Sequence, residues 1–188
     1  MRSLLPGAIL TPSPSPSLLA VPTSPRFILL WLALLRAEAI PVLCNPLYSS
    51  EELAHAMALT RPSLVLAPAA LHAKLPSHDG AQTLCSDARV WEIANEIFEE
   101  DANTLLDGQG TRAQAPWDQT ATMAFSSGTS GLPKAVMLSH RALLCASATM
   151  LQAETTMDVR RPVHSLICLP CFHIAGVANV VMGAAKGA

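Results

Sequence analysis

The chain is predicted to be α/β: a partial, truncated domain with a mainly parallel sheet and flanking helices. Three observations predict this. Short apolar runs alternate with helical patterns from Phe27 to Ala67, a strand–helix–strand rhythm that belongs to parallel sheets covered on their faces. Two further apolar runs, Ala121 to Phe125 and Ala135 to Leu138, enclose a Ser/Gly-rich loop. The composition is 51% hydrophobic and 14% charged, against a usual charged share of roughly 25%. That balance leaves little polar surface for a self-contained globule and suits a piece of a larger α/β core.

The elements follow in order. Residues 1–25 are rich in proline and serine and are expected to be disordered, so the packed part is placed at residues 26–188. Phe27 to Ala37 reads as a helix and Val42 to Cys44 as a short strand. Ser49-Ser50-Glu51-Glu52 has capping-box spacing and opens a helix to about Leu59, with Leu53, Ala56 and Met57 on one face. Ser63 to Ala67 is a buried strand. Val90, Ile93, Ala94, Ile97 and Phe98 recur at helical spacing, with a solvated acidic end at Glu99 to Asp101, and Asp107 to Gln114 is a loop. Ser139 caps a helix through Leu151 whose inward face is Leu144, Ala148 and Leu151. Ser165 to Leu169 reads as a buried strand, stopped by Pro170 and followed by a small-residue helix start. No internal repeat is present.

Charge and cysteine usage exclude some classes. A net charge of −2 gives no attraction to nucleic acid or an anionic membrane. The apolar run Phe27 to Leu35 has nine residues before Arg36, well short of the roughly 20 of a membrane span, so no transmembrane segment is expected. Residues 1–37 hold three arginines, no acid and many serines, but six prolines between Pro6 and Pro25 oppose the amphipathic helix of a transit peptide. Five irregularly spaced cysteines favour a reducing compartment. The localisation expected is cytoplasmic, with peroxisomal or organellar placement left open. Cys168 and Cys171 form a C-x-x-C near His173, yet a structural zinc site wants four ligands and no second such pair exists. No metal site is assigned, and both cysteines are read as packing residues.

The passage able to carry chemistry is Ser126-Ser127-Gly128-Thr129-Ser130-Gly131-Leu132-Pro133-Lys134. Its backbone N–H groups and hydroxyls can surround an anion, and Lys134 adds a positive charge at the loop's exit. It is not a Walker A loop, because Gly128 and Gly131 are three apart and Pro133 precedes the lysine. Pro133 fixes its own φ and biases Leu132 toward extended geometry, as a loop returning into a strand requires.

This passage resembles the phosphate-binding signature of the AMP-forming acyl-CoA synthetase and adenylate-forming superfamily, S/T-S-G-S/T-S/T-G-x-P-K-G. Nine of its ten positions match, and the tenth is Ala135 in place of glycine. If that glycine serves a positive φ, alanine costs about 1 kcal/mol; if it only begins a strand, alanine is harmless. Leu169-Pro170-Cys171-Phe172-His173-Ile174-Ala175-Gly176 resembles the family's next motif, L-P-x-F-H-x-x-G. Ala37 to Tyr48 resembles a G-A-x-x-x-x-x-N-P-x-Y segment, with Glu38 where a glycine is expected. The resemblance covers about residues 26–188 and is strongest to acid–CoA ligases of the 4-coumarate–CoA ligase type.

The resemblance implies an N-terminal fragment of a ligase that uses ATP, Mg2+ and coenzyme A on a carboxylic acid. By it, Ser126, Ser127, Gly128, Thr129, Ser130, Gly131 and Lys134 bind the nucleotide phosphates, and Lys134 and His173 are the catalytic candidates, with His173 on the acyl side. The family's later motifs, Y/F-G-x-T-E and T-G-D, and its small C-terminal domain have no counterpart in this sequence, so the chain alone is expected to be inactive. Two alternatives stand beside this reading: a non-catalytic remnant binding nucleotide phosphate or a protein partner, and a fragment of a peptide-synthetase adenylation domain. An exposed core is expected to promote self-association or chaperone binding.

Overall fold

A computed structural model describes residues 14–77, 82–84, 92, 116–126, 132–153 and 166–186. Its elements are β1 (Pro16–Leu19), α1 (Pro25–Arg36), β2 (Ile40–Leu43), α2 (Ser50–Thr60), β3 (Leu64–Leu66), a short 3₁₀ helix (Ala69–Lys74), β4 (Gln82–Leu84), β5 (Thr120–Ser126), β6 (Lys134–Ser139), α3 (His140–Ala153) and α4 (Ile174–Lys186). The six strands form one sheet in the order β4-β3-β1-β2-β5-β6. Every neighbouring pair is parallel except β5 and β6, which form an antiparallel hairpin. The predicted α/β class and mainly parallel sheet are therefore observed.

Alternation along the strands divides the core into two layers. Leu19, Leu43, Leu64 and Leu66 face α1, where Phe27, Leu30, Trp31, Ala33 and Leu34 are buried. Leu18, Val42 and Val65 face α2, where Leu53, Ala56 and Met57 are buried. The second helix begins as the spacing predicts: Ser49 Oγ accepts from the Glu52 N–H at 3.2 Å, and Glu52 Oε2 accepts from the Ser49 N–H at 2.8 Å. Pro41 stands inside a central strand with no N–H to give. Its carbonyl is satisfied by the buried hydroxyl of Thr122 in β5, at 2.7 Å.

Three expectations are corrected. The boundary at residue 25 is wrong, because Pro16–Leu19 is a central strand between β2 and β3, and Ser17, Leu18 and Leu19 are fully buried. Proline is tolerated there because Pro16 is the first residue of its strand. The inward face of α3 is set by Leu143 and Ser147, whereas Leu144 is 51% exposed. Residues 166–168 are not a buried strand: Leu166 is 91% exposed and the segment joins none of the six strands. Apolar content alone cannot make a strand without a neighbour to take its backbone hydrogen bonds. The helix expected from Val90 to Phe98, apart from helical Glu92, the acidic end at Glu99 to Asp101 and the loop Asp107 to Gln114 lie outside the described residues.

Candidate functional site

Parallel strands place their outgoing loops along one edge of a sheet, and ligands of such folds bind at that carboxyl edge. Here β1 leads through α1 to its neighbour β2, while β2 leads through α2 to β3 on the far side of β1. The two connections cover opposite faces, which opens a crevice between the loops that follow β1 and β2. A cavity of about 510 Å³ lies there, lined by Pro22, Thr23, Pro46 and Leu47 from those loops and by Cys168 and Phe172.

β5 runs parallel to β2, with Val42 opposite Met123 and Leu43 opposite Ala124. Ser126 thus ends β5 on the same edge, and the antiparallel register pairs it with Lys134 and Phe125 with Ala135. Both Ser126 and Lys134 are exposed at the neck of the loop. Ser127, Gly128, Thr129, Ser130 and Gly131 lie outside the described residues. Ala135 is a regular strand residue, since among the described residues only Glu38 and Arg61 combine a side chain with positive φ. The alanine in the glycine position of the motif is therefore accommodated without backbone strain.

His173 stands at the N-terminus of α4. Its Nδ1 accepts from the Ala175 N–H at 3.3 Å, so the ring caps the helix and this nitrogen carries a lone pair. The preceding turn is tied to the β1 loop, where the Cys171 N–H donates to Thr23 Oγ1 at 2.9 Å. Gly176 permits that turn, because a Cβ there would lie 2.2 Å from the Pro170 carbonyl oxygen and 2.7 Å from the Cys171 Cα. Among the candidate residues described, Ser126 and Lys134 are paired, and His173 stands along the same carboxyl edge of the sheet, at the loop after β1.

The cysteines divide. Cys171 is buried, as a packing residue should be, but Cys168 is exposed. Among the described residues no group of three His, Cys, Asp or Glu side chains could hold a metal ion. Burial, with Glu52 nearby adding to it, pushes the Cys44 thiol up to about 12, so it remains protonated and is not a nucleophile. Burial likewise raises Tyr48, assisted by Cys44 and Glu52, and Tyr48 packs edge-on to Phe125 of β5.

One polar contact at the neck escaped the sequence reading. His55 of α2 places Nε2 2.9 Å from the carbonyl oxygen of Pro133, 78 residues away. Its partner is a backbone atom, which leaves no mark in a sequence pattern.

The AMP-binding enzyme family model matches residues 15–188. The chain belongs to this family. Its match begins just before β1, which agrees with the corrected boundary. Among curated relatives, 4-coumarate–CoA ligase 1 of Oryza sativa is 30% identical over 168 residues, covering 85% of this chain and 29% of the relative. The 4-coumarate–CoA ligase-like protein 5 of the same plant is 30% identical over 190 residues, covering 92% and 31%. The chain therefore spans about three tenths of these relatives. In fold it is similar to the N-terminal domain of FACL13 from Mycobacterium tuberculosis, with a TM-score of 0.74 at 20% identity, covering 93% of this chain and 43% of that one. It is also similar to o-succinylbenzoate CoA synthetase from Bacillus subtilis in complex with ATP and magnesium ion, with a TM-score of 0.70 at 19% identity, covering 93% and 34%. Among the described residues no helix is long and apolar enough to cross a membrane.

Proposed function

We propose that this chain is the phosphate-binding part of an ATP-dependent acid–CoA ligase. The observation that carries the reading is the β5–β6 hairpin, whose described ends, Ser126 and Lys134, pair at the carboxyl edge of the sheet, the edge at which the His173 turn is tied to the loop after β1. In the reaction a carboxylate oxygen attacks the α-phosphorus of ATP, the bond to the β-phosphate oxygen breaks, and pyrophosphate leaves. The thiol of coenzyme A then displaces AMP from the acyl-adenylate to give a thioester. Charge on the leaving pyrophosphate must be neutralised. Lys134, with the hydroxyls and N–H groups of Ser126, Ser127, Gly128, Thr129, Ser130 and Gly131, supplies that part. Magnesium accompanies the nucleotide and offsets phosphate charge when bound. His173 lies on the acyl side, and its Nδ1 is already engaged with the helix, so only Nε2 is available to substrate.

These residues are assigned to the β- and γ-phosphates, and no residue is assigned to the α-phosphoryl group. The expected outcome is MgATP binding by this chain, measured calorimetrically, with a loss of tenfold or more in affinity on Lys134→Ala. Exchange of labelled pyrophosphate into ATP with an acid present should not occur. MgATP affinity unchanged by Lys134→Ala would overturn the assignment of the loop.

A further inference from the structure

We infer that His55 is a positioning residue for Lys134. This rests on the phosphate-binding reading above, and it concerns three residues that the structure places together: His55, Pro133 and Lys134. A carbonyl oxygen can only accept, so the 2.9 Å contact requires a proton on His55 Nε2. The Pro133 carbonyl belongs to the same planar peptide as the Lys134 N–H. Holding that oxygen therefore fixes the plane from which Lys134 departs. Pro133 has its φ set by its ring, and Lys134 is held on its other side by pairing with Ser126. His55 supplies the remaining constraint, from outside the sheet.

The anchor is itself rigid. His55 lies half-buried between Leu53 and Ala56–Met57, which are locked into the core layer below α2. The helix is fixed at its start by the reciprocal Ser49–Glu52 cap and at its end by the Arg61 N–H bonded to the Met57 carbonyl at 2.8 Å. A side chain on such a support transmits the position of the core to the loop's exit. Affinity for a phosphate chain then includes a contribution from His55 that acts only through the lysine.

A double-mutant cycle on the full chain tests this, with MgATP as the probe. His55→Ala should weaken MgATP binding about fivefold to tenfold, and His55→Gln, whose amide can still donate, should recover most of the loss. In the Lys134→Ala background, His55→Ala should cost nothing further, because the group it positions is gone. Thermal unfolding of each variant separates this from a loss of fold. MgATP binding equal to wild type in His55→Ala, or the same loss with and without Lys134, would overturn the role of His55 and leave the loop assignment standing. Failure of the wild-type chain to bind MgATP, or indifference to Lys134→Ala, would overturn the loop assignment and this inference with it.

Discussion

Glu38 shows what one residue can reveal. It follows α1 with φ of 58°, in the left-handed region. Its N–H bonds the Leu35 carbonyl at 3.1 Å, and the Ala39 N–H bonds the Leu34 carbonyl at 3.0 Å. This is a Schellman ending, whose left-handed position favours glycine. The sequence comparison with the family motif had placed a glycine there, and the backbone explains why. Glu38→Gly should raise stability by about 0.5–1 kcal/mol, since relief of left-handed strain outweighs the extra freedom of the unfolded chain. Urea unfolding midpoints would measure it, and a lower midpoint for the variant would refute the strain argument. Lys134 and His173 could be proposed from the sequence because family motifs have fixed order and spacing. His55 was not, because its contact runs to a backbone carbonyl that any residue could provide.

At the scale of elements, helices and buried strands with regular periodicity were readable, and β1 was not. Its sequence, Pro-Ser-Leu-Leu, sits among prolines and serines that elsewhere signal unpacked chain. It is nevertheless held on both sides, by the Pro16–Ile40 register with β2 and the Ser17–Leu64 register with β3. The Ser17 hydroxyl is buried without a hydrogen-bond partner among the described residues, an energetic cost that a propensity reading counts against a strand. Burial of Leu18 and Leu19 on opposite faces offsets it. Residues 166–168 failed in the opposite sense, being apolar in sequence but outside the ladder. The placement of β1 makes a sharp prediction. A chain beginning at residue 26 should lose cooperative unfolding and near-UV circular dichroism, because β2 and β3 are no longer bridged. A chain beginning at residue 14 should retain both. A folded, cooperative chain from residue 26 onward would show that β1 is dispensable.

At the scale of the molecule, the distribution of exposed apolar side chains matters more than their number, since isolated ones are normal on any surface. Val136 and Met137 are 42% and 68% exposed on β6, the terminal strand of the described sheet. Leu144 and Met150 follow on α3, and Leu166 and Leu169 precede α4. An edge strand with free backbone groups and apolar neighbours is a template for pairing with another chain. The low charged fraction noted in the sequence gives the same expectation independently. The 19.9 kDa chain should therefore self-associate in a concentration-dependent way, as read by sedimentation velocity. Met137→Lys should shift it toward monomer, because a lysine on an edge strand opposes strand addition and Met137 is itself 68% exposed. Its effect on MgATP affinity should be small, since Met137 pairs with Met123 and lies three residues along β6 from Lys134. A wild-type chain that sediments as a monomer at all concentrations would mean that this edge is protected, and the self-association argument would fail while the phosphate-loop reading stood.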